Sequence, residues 1–278
     1  MPQELHQPQP PVVLVTGASA GLGLVIAKTF ASHGYRVAVA GRTADRLQEA
    51  AKLIAPNDLD QVLICVGDVT RSNDCAQFAD DIKERWGHLD VLVNCVGASD
   101  RGLTMELTAE RIHELIDANV VGTLICSQAM LPLLRDSHGS VINIGSLAGK
   151  VGARYLGGYN TTKHALSGLT QQMRLELREQ GVHVGLVSPG PIRRPDAGQR
   201  YADRTGGSLP ESAAAPGGGT NFKGLDPQRV ADAVYQSVIK RRPDVVLPGY
   251  MRLLITLGNG LPRLGDWLLL KFTSSKSR

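Results

Sequence analysis

Aromatic side chains make up only 4% of the 278 residues, so a core has to be assembled mainly from Val, Leu, Ile and Ala. Such a core suits a parallel sheet buried beneath helices. Cysteine is also scarce: Cys65, Cys75, Cys95 and Cys126 occur with no CxxC and no paired spacing. That excludes a disulfide framework. Cys65 and Cys95 fall in apolar runs where Cys acts as a small hydrophobe, and all four are expected as reduced thiols of a cytoplasmic protein. The seven histidines contain neither HxxxH nor HExxH, so no metal site is expected. A run of 18 apolar residues is missing too, which argues against a conventional spanning helix. Residues 1–10 are polar and Pro-rich, without a basic or an apolar signal region, and read as a disordered leader.

Charge is unevenly spread. The formal net charge is +4, but eight basic residues against Asp244 and Asp266 put +6 on residues 240–278 and leave −2 for the rest. A near-neutral body with a basic tail is not the footprint of a nucleic-acid binder, which carries a basic face on its folded body.

Short β-rich runs alternate with longer helical patterns. Val12–Thr16, Arg36–Ala40, Gln61–Cys65, Asp90–Asn94, Gly139–Gly145, His183–Ser188 and Asp244–Leu247 read as strands. Helical periodicity fills Leu22–His33, Ala44–Ile54, Ser72–Trp86, Ala109–Leu134, Leu156–Glu179 and Pro227–Lys240. This alternation predicts a single α/β domain over 11–248, a Rossmann-type doubly wound parallel sheet of about seven strands with helices on both faces. Residues 191–224 break the rhythm with glycine-rich stretches and Arg193, Arg194, Arg200 and Arg204. Following a strand's carboxyl end, they read either as a substrate lid or as a surface insertion.

The first strand runs into Thr16-Gly17-Ala18-Ser19-Ala20-Gly21-Leu22-Gly23, and a helix follows. Glycines permit the tight turn and let backbone approach a pyrophosphate, whose charge a helix N-terminus favours. After the second strand stands Gly41-Arg42. An acidic residue there would hydrogen-bond the ribose of NAD(H). Arg42, with Thr43 or Arg46 assisting, instead suits the 2′-phosphate of NADP(H).

Tyr159 and Lys163 lie at i and i+4, on one face of a helix. A phenol near its reference pKa of about 10 is a poor base at neutral pH. A neighbouring ammonium favours the phenolate and equips it to exchange a proton with an alcohol. Ser146, just beyond a strand, offers a hydroxyl to hold a substrate oxygen or to cap a helix.

Together these motifs resemble the short-chain dehydrogenase/reductase family over roughly residues 12–247. The resemblance implies that Asp68-Val69 lies near the adenine and that Asn94-Cys95-Val96-Gly97 stands for the family's Asn-Asn-Ala-Gly, with Gly97 admitting the adenine ribose. It further implies that Pro189-Gly190 flanks the nicotinamide and that Lys163 binds the nicotinamide ribose. Asn119 takes a water-holding place in a proton relay reaching Lys163. The activity implied is hydride transfer between NADP(H) and a carbonyl or secondary alcohol, with Tyr159 as acid or base. A homodimer or homotetramer through Ala109–Leu134 and Leu156–Glu179 is implied as well.

Leu147, Ala148, Tyr155, Leu156 and Ile192 read as the edge of an apolar pocket, for a lipid-, steroid- or retinoid-like substrate, or as core. Two rivals stand beside this reading: a 3-oxoacyl-thioester reductase and a non-catalytic NADP-binding scaffold. In the extension at 249–278, Met251–Leu257 and Trp267–Phe272 are apolar runs edged by Arg and Lys. They read as closing the pocket or a subunit contact, or as peripheral contact with an anionic membrane.

Overall fold

The computed structural model describes residues 9–194, 209, 213 and 224–273. Most of the expected leader and of the expected lid at 191–224 lies outside these residues. Seven parallel strands form one sheet in the order β3-β2-β1-β4-β5-β6-β7. They are β1 Val12–Thr16, β2 Arg36–Gly41, β3 Val62–Val66, β4 Val91–Asn94, β5 Ser140–Ile144, β6 His183–Pro189 and β7 Asp244–Leu247. The register pairs Val13 with Val37 on one side and with Val91 on the other, so β1 is central and wholly buried.

Side chains alternate across a strand, and both faces of this sheet are covered. Val12 and Leu14 enter one core, with α3 Ser72–Trp86, α5 Gly122–Asp136 and α6 Tyr159–Leu177 above them. Val13 and Val15 enter the other, beneath α1 Gly21–Ser32, α2 Ala44–Ile54 and α7 Pro227–Ile239. Phe78, Ile82 and Met130 fill the first core, and Ile26, Phe30 and Val234 fill the second. With so few aromatics, many aliphatic burials carry the stability, each contributing about 1.5–3 kcal/mol.

The stretch expected as one helix from Ala109 is interrupted. Helix α4 covers Ala109–Ile116, a single π-helical turn follows at Asp117–Val121, and α5 then continues. By length and composition Ala109–Asp136 is apolar enough to cross a membrane. Its place is nevertheless on the sheet, where Cys126, Met130 and Leu134 are fully buried. The helix expected from Leu156 begins instead at Tyr159, because Gly157 adopts φ +50° and ends the preceding turn. Beyond β7 the two apolar runs fold as a helical pair, α8 Met251–Gly260 and α9 Pro262–Thr273. Gly258 and Gly265 meet where they cross: a Cβ on Gly265 would lie 2.7 Å from the Gly258 carbonyl oxygen.

Candidate active site

The strand order reverses between β1 and β4, and at the carboxyl ends of such strands the chain leaves a crevice. A cleft of about 1470 Å³ opens there. One wall is the turn after β1, where Gly17 and Gly21 adopt φ +68° and +57°, conformations that side chains resist. Gly23 packs against the Gly17 carbonyl so closely that any side chain would collide with it. Gly17, Ser19, Gly21, Leu22 and Gly23 all border the cleft at the start of α1.

Arg42 borders the same end, with Asp68 and Val69. Partial burial pushes the Asp68 carboxyl up. Hydrogen bonds from the Thr70 N–H and hydroxyl, at 3.0 and 2.9 Å, with Arg42 and Arg71 nearby, outweigh it and hold the group below the usual carboxylate range. Thr43, at the N-cap position of α2, and Arg46 in its first turn are exposed and do not border the cleft. Gly97 does, along with Cys95, whose thiol burial pushes up to about 11. Asn94 lies under the floor, donating to Ser127 Oγ at 3.0 Å and Asn143 Oδ1 at 2.9 Å, and so ties β4 to β5 and α5.

Ser146, Tyr159 and Lys163 line the middle of the cleft, with Pro189 and Gly190 beside them. Ser146 follows β5, and its Oγ accepts a 3.1 Å bond from the Ala148 N–H. The Lys163 ammonium lies 5.8 Å from the centre of the Tyr159 ring and donates to the Ile144 carbonyl at 2.9 Å. Burial pulls Lys163 down to about 8, a shift that the nearby Cys95 opposes. Asn119 is fully buried behind this pair. Its amide donates to the Ala98 carbonyl and Thr162 Oγ1, at 2.8 and 2.9 Å, and its Oδ1 accepts from the Ala98 N–H at 2.8 Å. The π turn brings Asn119 into that position, and such turns recur at functional sites.

Gly97 separates the two groups. A Cβ there would stand 2.8 Å from Asn119 Oδ1 and 3.5 Å from Lys163 Nζ, so both approach it closely.

Leu147, Ala148, Leu156 and Ile192 line the cleft as expected of a pocket edge; Tyr155 does not. Two contributions were not anticipated. Arg101, buried beside Asp100, borders the cleft and donates through Nε to the Ala213 carbonyl at 2.7 Å. Lys150, four residues beyond Ser146, pairs with Asp244 at 3.1 Å, and Asp244 also meets Arg252 of α8. Both links join segments distant in sequence, and no local motif announces them. The roof is supplied by Met251, Leu254, Ile255 and Gly258 of α8 and by Gly265 and Leu269 of α9, so the apolar runs of the tail do border the pocket, one of the placements expected for them. Among the described residues, no group of three or more His, Cys, Asp or Glu side chains could hold a metal ion.

A sequence profile described as short chain dehydrogenase matches residues 11–205. An uncharacterized oxidoreductase of Staphylococcus saprophyticus is 37% identical over 191 residues, 68% of this chain and 82% of that protein. A short-chain dehydrogenase from Streptomyces avermitilis superposes with a TM-score of 0.77 at 27% identity, covering 97% of this chain and 100% of that one. Since 97% is covered, the likeness reaches beyond β7 into the C-terminal helices. An alcohol dehydrogenase from Thermococcus sibiricus, complexed with 5-hydroxy-NADP, superposes at 0.70 with 26% identity over 87% of this chain and 97% of that one.

Proposed function

The chain belongs to the short-chain dehydrogenase family, and from that premise we propose that it moves a hydride between NADP(H) and the carbonyl or secondary alcohol of an apolar substrate. The observation that carries the reading is the cleft itself, which holds a glycine cradle at one end and Ser146, Tyr159 and Lys163 at its centre. The cradle suits a dinucleotide: Gly17, Gly21 and Gly23 leave backbone unshielded at a helix N-terminus, where a pyrophosphate is favoured. At its far end the exposed Arg42 offers a guanidinium fork to a 2′-phosphate. The NADP analogue on the similar alcohol dehydrogenase is consistent with that choice.

Bound NADPH supplies the hydride in the reductive direction. Ser146 Oγ and the Tyr159 hydroxyl hold the substrate oxygen, and Tyr159 delivers a proton to it. Lys163, a cation beneath the phenol, stabilises the resulting phenolate. Asn119 is a positioning residue with a place in the relay. Its hydrogen bonds to Ala98 and Thr162 fix the backbone beside Lys163, where a water relay would let the lysine end of the site recover a proton. In the oxidative direction Tyr159 is the base.

Leu147, Leu156 and Ile192, together with the roof, give the substrate end an apolar lining. That favours a lipid-, steroid- or retinoid-like ketone or alcohol over a small polar one. The protein works in the cytoplasm as a homo-oligomer through α5 and α6. NADPH consumption with a panel of apolar ketones, aldehydes and 3-oxoacyl thioesters tests the reading. Turnover of the apolar ketones supports it, and preference for thioesters replaces it with the reductase reading. Tight NADPH binding with no turnover of any panel member leaves a scaffold.

A further inference from the structure

Large apolar side chains left exposed are not spread evenly over this surface. Eight of the fifteen among the described residues fall between Tyr250 and Leu270. The helical period sorts that segment into two faces. Met251, Leu254, Ile255 and Gly258 recur at i, i+3, i+4 and i+7 and line the cleft; so do Pro262, Gly265, Asp266 and Leu269. Leu253, Leu257, Leu261, Leu264, Trp267 and Leu270 do not border the cleft, and all six are exposed, Leu253 by 66% and Trp267 by 54%. An exposed ridge of this kind marks an interaction site.

The charges sort in the same way. Asp266, the only acid of the pair of helices, is exposed but turns toward the rim of the cleft. Arg263 and Lys271 are exposed, with Lys271 lying 4.8 Å from the centre of the Trp267 ring. The sequence continues to Lys276 and Arg278. An apolar ridge whose exposed charges are Arg263 and Lys271 against the single Asp266, with a tryptophan among its side chains, matches the interface of a negatively charged bilayer. A second copy of this chain would bring the same cations against it.

The helices are also fixed to the catalytic centre. Arg252 donates to the Asp244 main-chain carbonyl and meets its carboxylate at 3.7 Å. Asp244 holds Lys150, and Asn259 donates to the Lys150 carbonyl at 3.5 Å. Lys150 closes the turn that begins at Ser146. Whatever covers the outer face therefore sits on the roof of the substrate end.

We propose that the outer face of α8 and α9 docks on an anionic phospholipid surface, and that an apolar substrate passes from that lipid under the roof into the cleft. The delivery step rests on the apolar-substrate reading; the docking does not. The test is co-sedimentation of the full chain with phosphatidylcholine vesicles, with and without phosphatidylserine, at low salt. Tryptophan emission provides a second readout, because Trp267 is exposed whereas Trp86, the other tryptophan, is buried. Binding that requires phosphatidylserine, with a blue shift lost in Trp267→Phe, is expected. Leu257→Glu combined with Trp267→Glu is expected to lower vesicle affinity at least about tenfold, as is Arg263→Glu with Lys271→Glu. Leu53→Glu, on an exposed position of α2, leaves it unchanged. Retained NADPH binding shows that each variant is folded.

A chain that stays in the supernatant, or that binds neutral and anionic vesicles equally, overturns the proposal. So does a mass that halves in the Leu257→Glu, Trp267→Glu variant, since the face would then join two copies. Turnover of a soluble apolar ketone without vesicles is measured in parallel. Loss of docking with turnover kept overturns only the docking, and docking without turnover overturns only the catalytic reading.

Discussion

Lys163 and Asn119 approach Gly97 so closely that residue 97 has no room for a side chain. Gly97→Ala would place a Cβ 2.8 Å from Asn119 Oδ1, which already accepts from the Ala98 N–H. Overpacking of this kind costs about 1–3 kcal/mol. The expected outcome is a lower urea midpoint together with reduced turnover; an unchanged midpoint with full activity would remove this close approach from the account. Arg42 is tested separately. Arg42→Ala is expected to weaken NADPH binding by about 1.5–3 kcal/mol, the range for hydrogen bonds to charged groups, while sparing NADH, and equal losses for both cofactors would exclude a 2′-phosphate contact. Most of these residues were legible because their chemistry is local: a glycine turn, an Arg after a strand, a Tyr and a Lys one helical turn apart. Thr43 and Arg46 are exposed at the start of α2, outside the cleft lining, and Asn94 is engaged in a strand-to-strand tie, placements that closeness in sequence does not announce.

His183 opens β6, where burial, with Arg241 nearby, pushes its ring down to about 4, from an ordinary value of 6.5. Its Nε2 is buried with no hydrogen-bond partner, so protonation there is costly. Because the folded value is depressed, the unfolded chain binds the proton more readily between these two limits. The stability linked to His183 is fully present above about 6.5 and is lost as pH falls toward about 4. Allowing for the solvent-exposed part of the ring, the loss is about 1–2 kcal/mol. His183→Asn is expected to flatten the fall in urea midpoint across that window; an identical fall in the variant would place the acid sensitivity elsewhere. The strands were legible from their Val- and Ile-rich runs, which a sheet buried on both faces demands. The π turn at Asp117–Val121 was not, since helical apolar spacing continues across it and the departure is driven by the tertiary contacts of Asn119. Nor was the pairing of α8 with α9, which depends on Gly258 meeting Gly265 across the crossing.

Across the whole molecule, the carboxyl ends of the strands bring together the glycine turn, the Ser146, Tyr159 and Lys163 side chains and an apolar roof. Leu124 and Leu131 on α5 are half-buried and Leu175 on α6 is exposed, which leaves apolar surface for a neighbouring subunit. Light scattering at micromolar concentration is expected to give the mass of a dimer or tetramer, and a monomer's mass would defeat that assembly. The architecture was legible from alternation alone, and a pocket wall was one reading of the tail's apolar runs; which side chains form it was not legible until the helical period of α8 and α9 divides their faces. The proposed function turns on proton exchange between Tyr159 and the substrate oxygen while Lys163 and the glycine cradle hold the cofactor. Its most direct test compares NADPH turnover and NADPH binding in Tyr159→Phe and in the unaltered chain, using a ketone that the unaltered chain reduces. Turnover is expected to fall by about 100-fold or more, the lower end for acid–base catalysis, with NADPH affinity within about twofold of the unaltered chain. Turnover retained in Tyr159→Phe would contradict the proposed function.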